Sequence, residues 1–164
     1  MSVCLLIGYG NTVRGDDGLG PYVARHFQDW SAPPGVRILV EELPQLDVAL
    51  IEQLAAAQLA IFVDARDDDR CDAVIVERHV LADAAATPRH TSHSVGIDQL
   101  LRAARDWYGR APVCYAVMPK GYEFEFSERL TTRAEQNAER AIREVATIIN
   151  RIAREAGDDR CSVE

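Results

Sequence analysis

Three side chains that could hold a metal ion follow or precede three different predicted structural elements. Asp17 lies in a glycine-rich loop after the first predicted strand, Asp64 directly follows an apolar run, and His93 precedes a predicted helix. Two carboxylate oxygens and one imidazole nitrogen suit zinc, manganese or nickel, and three ligands leave coordination positions open for a substrate. The spacing therefore indicates a metal-binding site, although the sequence contains no compact metal motif.

Each of these residues also has a purely structural explanation. Asp16 and Asp17 precede a predicted helix, where a carboxylate can cap free N–H groups and interact favourably with the helix dipole. An aspartate after a buried strand, such as Asp64, commonly forms a turn, and His93 could be a surface or capping residue. Two adjacent aspartates are more than one cap requires, so one of them is available to face a crevice. The acidic run 67–69 is expected to be a solvated turn.

The glycine-rich loop also invites a nucleotide-binding interpretation. The fingerprint G-x-G-x-x-G would start at Gly8 and Gly10 but needs glycine at position 13, which is Val13. The two aspartates that follow would repel a pyrophosphate at the helix N-terminus. Glu41 and Glu42, after the second predicted strand, could imitate the acid that holds a ribose. A nucleotide-dependent enzyme therefore stays as an alternative.

Other common catalytic arrangements are missing from the sequence. It has neither the zinc motif H-E-x-x-H nor the nucleophile elbow G-x-S-x-G. Its cysteines, Cys4, Cys71, Cys114 and Cys161, are scattered without a C-x-x-C pair, which argues against a zinc knuckle, a redox dithiol or a disulfide framework. Cys4 and Cys114 lie in apolar strand-like runs, so we expect buried thiols.

Apolar patterning predicts the elements that position the candidate residues. Strands are predicted over 3–9, 36–40, 59–63, 73–77 and 113–118. A first helix is predicted after Gly18 and as far as about Trp30, and further helices over 46–57, 95–108 and 131–155, with a loop over 81–92. Strand and helix alternate, which predicts a single three-layer α/β/α domain with a mainly parallel central sheet. Ligands of such sheets bind beyond the carboxyl ends of the strands, where the first loop, the segment after Asp64 and the loop before His93 are expected to meet.

Composition sets broad limits on function. The 164 residues are enough for one domain, and we expect it to span 1–164 with a frayed polar tail at 157–164. A formal net charge of −8 repels phosphate backbones, so a nucleic-acid partner is not expected. The sequence has no apolar run of about 20 residues and no recognisable secretion signal. We therefore expect a cytoplasmic protein without a membrane partner.

A longer pattern runs through the first loop and recurs in later segments. The loop contains Gly8, Gly10, Asn11, Asp16, Asp17, Gly18 and Gly20, in the spacing G-x-G-N-x-x-x-x-D-D-G-x-G. Later segments with a matching order are 61–65, His93 with the leucine-containing helix after it, and 124–131 at the start of the last helix. Over roughly residues 3–150 the chain resembles the hydrogenase maturation endopeptidases.

This resemblance implies a specific activity. Such aspartic-type endopeptidases remove a C-terminal extension from the large-subunit precursor of a nickel–iron hydrogenase after nickel insertion. The nickel belongs to the substrate, and the resemblance assigns its recognition to Asp17, Asp64 and His93. It makes Asp16, Asp17 and Asp64 the candidate catalytic carboxylates, with Asp16 as a possible proton acceptor. It implies no tightly bound organic cofactor, and we expect a monomer.

The chain departs from the family pattern after the second predicted strand. Many members carry a Gly-Gly-Thr-like turn there, whereas this chain has Glu41-Glu42-Leu43-Pro44-Gln45. The difference suggests another substrate branch, such as the soluble cofactor-reducing hydrogenases. A further carboxylate of the family could correspond to Glu41 or Glu42. A metal-sensing or chaperone-like binding protein without hydrolytic activity is a second alternative.

Overall fold

The computed structural model describes residues 1–81 and 95–161, with side chains as far as residue 155. Within these ranges five strands form one sheet: β1 (Ser2–Tyr9), β2 (Val36–Leu43), β3 (Leu59–Val63), β4 (Val74–His79) and β5 (Val113–Pro119). The helices are α1 (Leu19–His26), α2 (Leu50–Ala56), α3 (Ile97–Tyr108) and α4 (Thr132–Cys161). A single 3-10 turn, Gly15–Gly18, leads into α1.

The sheet has the strand order β2-β1-β3-β5-β4. Three of its four pairings are parallel, and only β4 runs antiparallel to its neighbour β5. The prediction of a mainly parallel sheet is therefore confirmed. The chain moves from β1 to β2 on one side and then to β3 on the other, so the topological switch point lies between β1 and β3.

Helices cover both faces of this sheet. On one face α1 and α4 pack against side chains such as Cys4 and Leu6 of β1. On the other face α2 and α3 pack against the alternating residues Leu5 and Ile7. All five residues of β3 are buried, as expected for a parallel strand that is covered on both faces. The three-layer α/β/α prediction is therefore correct. Among the described residues, no helix is long and apolar enough to cross a membrane.

Several element ends differ from those predicted. Strand β2 continues to Leu43 because Glu41 and Glu42 keep pairing in parallel with the end of β1, although their charge ended the apolar pattern. Helix α2 begins at Leu50 because the Asp47 side chain accepts a hydrogen bond from the Ala49 N–H and forms a turn first (2.8 Å). Helix α4 runs on to Cys161 rather than ending at 155, and residues 162–164 lie outside the described part.

Helix α1 packs on the strand ends through backbone atoms. A Cβ atom at Gly20 would lie 2.4 Å from the carbonyl oxygens of both Tyr9 and Val63, and one at Gly8 would lie 2.1 Å from the Gly20 carbonyl oxygen. Only glycine allows this approach, so two glycines of the first-loop pattern let the start of α1 pack across the ends of β1 and β3. The turn that carries Asp17 is thereby placed over the switch point.

The substitution Gly20→Ala tests this packing. The added methyl group would meet two backbone carbonyls that cannot move aside, so we expect the free energy of unfolding to fall by at least about 3 kcal/mol in urea titrations. The matched control is Gly96→Ala, because a Cβ atom there meets nothing within 4 Å. Equal stability of the two variants would contradict the close approach of α1.

Candidate functional site

Asp17 and Asp64 come together at the carboxyl ends of β1 and β3. Asp64 is the first residue after β3, and its N–H donates to the Val117 carbonyl oxygen (3.3 Å). Asp17 lies in the 3-10 turn after β1. Both residues are partly buried, and the negative charge of Asp17 contributes to a raised pKa at Asp64. Two of the three predicted metal ligands therefore lie near each other at this edge of the sheet.

The carboxyl group of Asp64 has an unusual protonation equilibrium. Burial, followed by the charge of Asp17, raises its pKa to about 7. The Tyr9 hydroxyl and the Ala65 N–H each donate a hydrogen bond to Asp64, and both bonds oppose this increase. Near neutral pH the group is therefore divided between its protonated and charged forms, which is a property of catalytic or metal-binding carboxylates.

Tyr9 is a site residue that the sequence analysis did not identify. It is the last residue of β1, and its side chain packs at the edge of the core on the α2 and α3 face. Burial and the charge of Asp64 raise the pKa of Tyr9, so its hydroxyl stays protonated and acts as a donor. Its position between Gly8 and Gly10 could have marked Tyr9 as a site residue, but the sequence alone does not show which way the ring points.

The orientation of Asp17 is fixed by the loop that precedes it. Its Oδ2 atom accepts a hydrogen bond from the Asn11 N–H (2.7 Å), and its own N–H donates to the Arg14 carbonyl oxygen (3.2 Å). Gly10 has a φ of +146°, and a Cβ atom there would lie 2.0 Å from the Asp17 carbonyl oxygen. The loop therefore closes tightly around Asp17 and holds its carboxylate in one position.

Asp16 has a different environment. Its carboxylate is fully buried and accepts hydrogen bonds from the Tyr122 N–H (2.7 Å), the Glu123 N–H (3.1 Å), the Thr131 N–H (2.7 Å) and the Thr131 hydroxyl (2.9 Å). These donors belong to the connection between β5 and α4. The contacts favour a structural role for Asp16 over the proton-accepting role, and they join two distant segments instead of capping α1.

The third predicted ligand, His93, lies outside the described residues, so its role stays a prediction. Within residues 1–81 and 95–161 no group of three or more histidine, cysteine, aspartate or glutamate side chains forms a metal site. The described part of the chain thus supplies two carboxylates of a possible ligand set. A third ligand from the segment before α3 would complete the predicted set of two oxygens and one nitrogen.

Glu41 and Glu42 lie away from Asp64. Glu42 accepts hydrogen bonds from the Arg25 guanidinium, the shortest at 2.6 Å, and from Gln28 (2.8 Å), while Glu41 accepts one from Gln53 (3.1 Å). Glu42 borders a cleft of about 290 Å³ that also touches the first loop, with the lining residues Gly10, Asn11, Thr12, Pro21, Arg25, Glu42, Leu43 and Pro44. Both acids are thus engaged in contacts of the β2 edge.

The acidic segment after Asp64 is more than a solvated turn. The buried Arg66 guanidinium donates to the carbonyl oxygens of Met118 (3.2 Å) and Asp68 (3.0 Å), and it also pairs with the Asp68 carboxylate (2.9 Å). Lys120 pairs with Asp69 (2.8 Å). These contacts fasten the segment to the end of β5 and so fix the backbone on the far side of Asp64.

Comparison with known proteins identifies the fold. No protein-family model matches the chain, and no curated protein matches it by sequence. Among solved structures, the hydrogenase maturating endopeptidase HybD from E. coli superposes with a TM-score of 0.73 at 21% identity, covering 92% of this chain and 93% of that one. The NiFe hydrogenase maturation protease HycI from Thermococcus kodakarensis KOD1 gives 0.65 at 22% identity, covering 91% and 92%. An endopeptidase from E. coli gives 0.67 at 23%, covering 88% and 90%.

These similarities establish the class of fold. The chain has the α/β fold of the hydrogenase maturation endopeptidases of known structure, which agrees with the resemblance of its first loop. The similarity extends over nearly the whole length of both chains.

The substitution Asp64→Asn tests the raised pKa. Because the folded-state pKa of about 7 exceeds the ordinary value of 3.8, the unfolded chain loses the proton first, and Asp64 increasingly destabilises the fold as pH rises from about 4 to 7. We expect Asp64→Asn to exceed the wild type in stability by a margin that grows between pH 5 and 8, up to roughly 4 kcal/mol, in urea titrations with chelator. The exposed Asp67→Asn is the control, and parallel pH curves for all three proteins would refute the raised pKa.

The substitution Asp16→Asn tests the structural role of the buried carboxylate. An amide keeps the shape but replaces one acceptor oxygen with an NH₂ group that faces backbone N–H donors, so we expect a loss of about 3 kcal/mol in unfolding free energy. Asp47→Asn, which alters an exposed turn, is the control. Unchanged stability of Asp16→Asn would show that these hydrogen bonds contribute little.

Proposed function

We propose that this protein is an endopeptidase that removes the C-terminal extension of a nickel–iron hydrogenase large-subunit precursor. The observation that carries the proposal is the joint placement of Asp17 and Asp64 at the switch point of the sheet. This placement occurs in a fold shared with proteins named as hydrogenase maturation proteases. The first-loop pattern that includes Asp17 supports the same activity.

The proposed recognition depends on nickel that the substrate carries. Asp17, Asp64 and His93 would complete the coordination of a nickel ion already held by the precursor, so the enzyme would dock only on the metal-loaded form. Carboxylates and imidazole are suitable ligands for nickel. Three ligands in an open crevice bind metal weakly by themselves, which fits a metal that arrives with the substrate rather than a resident cofactor.

The proposed chemistry is the hydrolysis of one peptide bond. A metal ion next to the scissile bond polarises its carbonyl group and acidifies a bound water molecule. Asp64 has a raised pKa of about 7 in the free protein, and coordination of the substrate's nickel would hold this carboxyl group in its charged form. Tyr9 holds this carboxyl group in place by donating a hydrogen bond to it. Asp16 supports the turn that carries Asp17.

The proposal also includes the partner, the compartment, the oligomeric state and the cofactor requirement. The partner is the large-subunit precursor, the protein works in the cytoplasm as a monomer, and it uses no organic cofactor. The acidic end of β2 distinguishes this chain from family members with a glycine-rich turn. It suggests a substrate from another branch, such as a soluble cofactor-reducing hydrogenase.

A processing assay tests the activity and the ligand set together. Purified protein is mixed with nickel-loaded or nickel-free precursor, and the subunit mass is followed over time. We expect loss of a C-terminal peptide from the loaded precursor only. Asp17→Asn, which keeps an acceptor for the Asn11 N–H, and His93→Ala should each reduce processing at least 100-fold without unfolding.

The control variant in this assay is His26→Ala, because His26 is exposed at the end of α1. It should process the precursor at the wild-type rate. Normal processing by both site variants would overturn the ligand assignment. Binding of the loaded precursor without any cleavage would instead support the chaperone-like alternative.

A further inference from the structure

Two exposed apolar side chains lie on neighbouring, hydrogen-bonded segments beside the turn that carries Asp17. Phe126 is 84% exposed and Val13 is 37% exposed. A parallel bridge joins Arg14 to Ser127, and this register places Val13 opposite Phe126 on the neighbouring segment. Single exposed apolar residues are common on protein surfaces, but a rigid pair next to a candidate site calls for an explanation.

The backbone around this pair is held firmly although its side chains are exposed. The Ser127 N–H donates to the Val13 carbonyl oxygen (3.0 Å), and the Gly15 N–H donates to the Ser127 carbonyl oxygen (2.8 Å). The Asp16 N–H donates to the Glu123 carbonyl oxygen (2.8 Å), and the buried Asp16 carboxylate binds the same segment. The backbone beside Phe126 is therefore held in place, and little backbone entropy is lost when a partner covers this side chain.

The pair is connected to the candidate metal ligand by a short series of hydrogen bonds. The Asn11 N–H donates to the Asp17 carboxylate (2.7 Å), and the Asn11 side-chain oxygen accepts from the Val13 N–H (3.1 Å). Val13 then accepts from Ser127, the residue after Phe126. Val13 and Phe126 therefore lie on the same hydrogen-bonded loops that hold the Asp17 carboxylate.

We propose that Val13 and Phe126 form a docking ledge for the folded body of the substrate precursor, separate from the contacts made to its metal. The occupant is an apolar patch of that precursor beside its metal-bearing segment. The exposed Glu123, Glu125 and Glu128 outnumber the exposed Arg14 and Arg129 on these two segments, and this acidic excess favours a basic rim around the precursor's patch. The inference rests on the proposed function and adds a second recognition surface to it.

Binding measurements on Phe126→Ala test the ledge. The wild type and the variant are immobilised, and nickel-loaded whole precursor is passed over them, with processing rates measured in parallel. We expect roughly tenfold weaker binding and a KM raised by a similar factor, with kcat within twofold, because the side chain contacts the precursor away from the reacting bond. Phe126→Leu should restore most of the affinity.

The matched control is Trp107→Ala, which removes a 71% exposed aromatic side chain near the end of α3, remote from the crevice. It should bind and process like the wild type, and equal thermal unfolding of all variants would show intact folding. Equal affinity of Phe126→Ala and the wild type would overturn the ledge while leaving the protease proposal standing.

Two further results separate the ledge from the protease proposal. Precursor binding that depends on Phe126, with no cleavage by the wild type, would support the ledge and overturn the endopeptidase activity. Absence of any binding or cleavage by the wild type would overturn both.

Discussion

The buried carboxylate of Asp16 joins the two segments that border the crevice. It lies one residue before Asp17 and accepts hydrogen bonds from both ends of the connection between β5 and α4. Burial of an ionised group is costly unless its hydrogen bonds are satisfied, and here the four donors satisfy both oxygens. This one side chain links the turn that carries Asp17 to the segment that carries Phe126 and to the start of α4.

The fold was largely predictable because its signals are local. The fully apolar β3 and the alternation of strands with helices were enough to predict a parallel sheet with helices on both faces. The sequence showed the glycine pattern of the first loop, but only the structure shows why glycine is needed at these positions. Gly8 and Gly20 are close only because α1 folds back on β1. The extension of β2 through Glu41 and Glu42 was missed because edge strands accept charged residues.

The candidate site was predictable only in part, because most of its contacts join residues far apart in the chain. The sequence pointed to Asp17 and Asp64, which follow strands in an α/β fold. It did not reveal that Tyr9 donates to Asp64 or that Asp16 binds a segment more than 100 residues away. Such pairs carry no periodic signal, since each depends on how the whole sheet is assembled. The role of His93 rests on its residue type, its place in the sequence and the resemblance.

The charged residues on the outer strands have a consequence for association between copies of the chain. In the part of the chain that the structure describes, β2 and β4 form the two edges of the sheet. Glu41 and Glu42 lie at the end of one edge, and Glu77 and Arg78 lie on the other. Charges on an edge strand oppose pairing with a strand of another molecule. Each copy is thereby hindered from extending its sheet with a strand of another molecule.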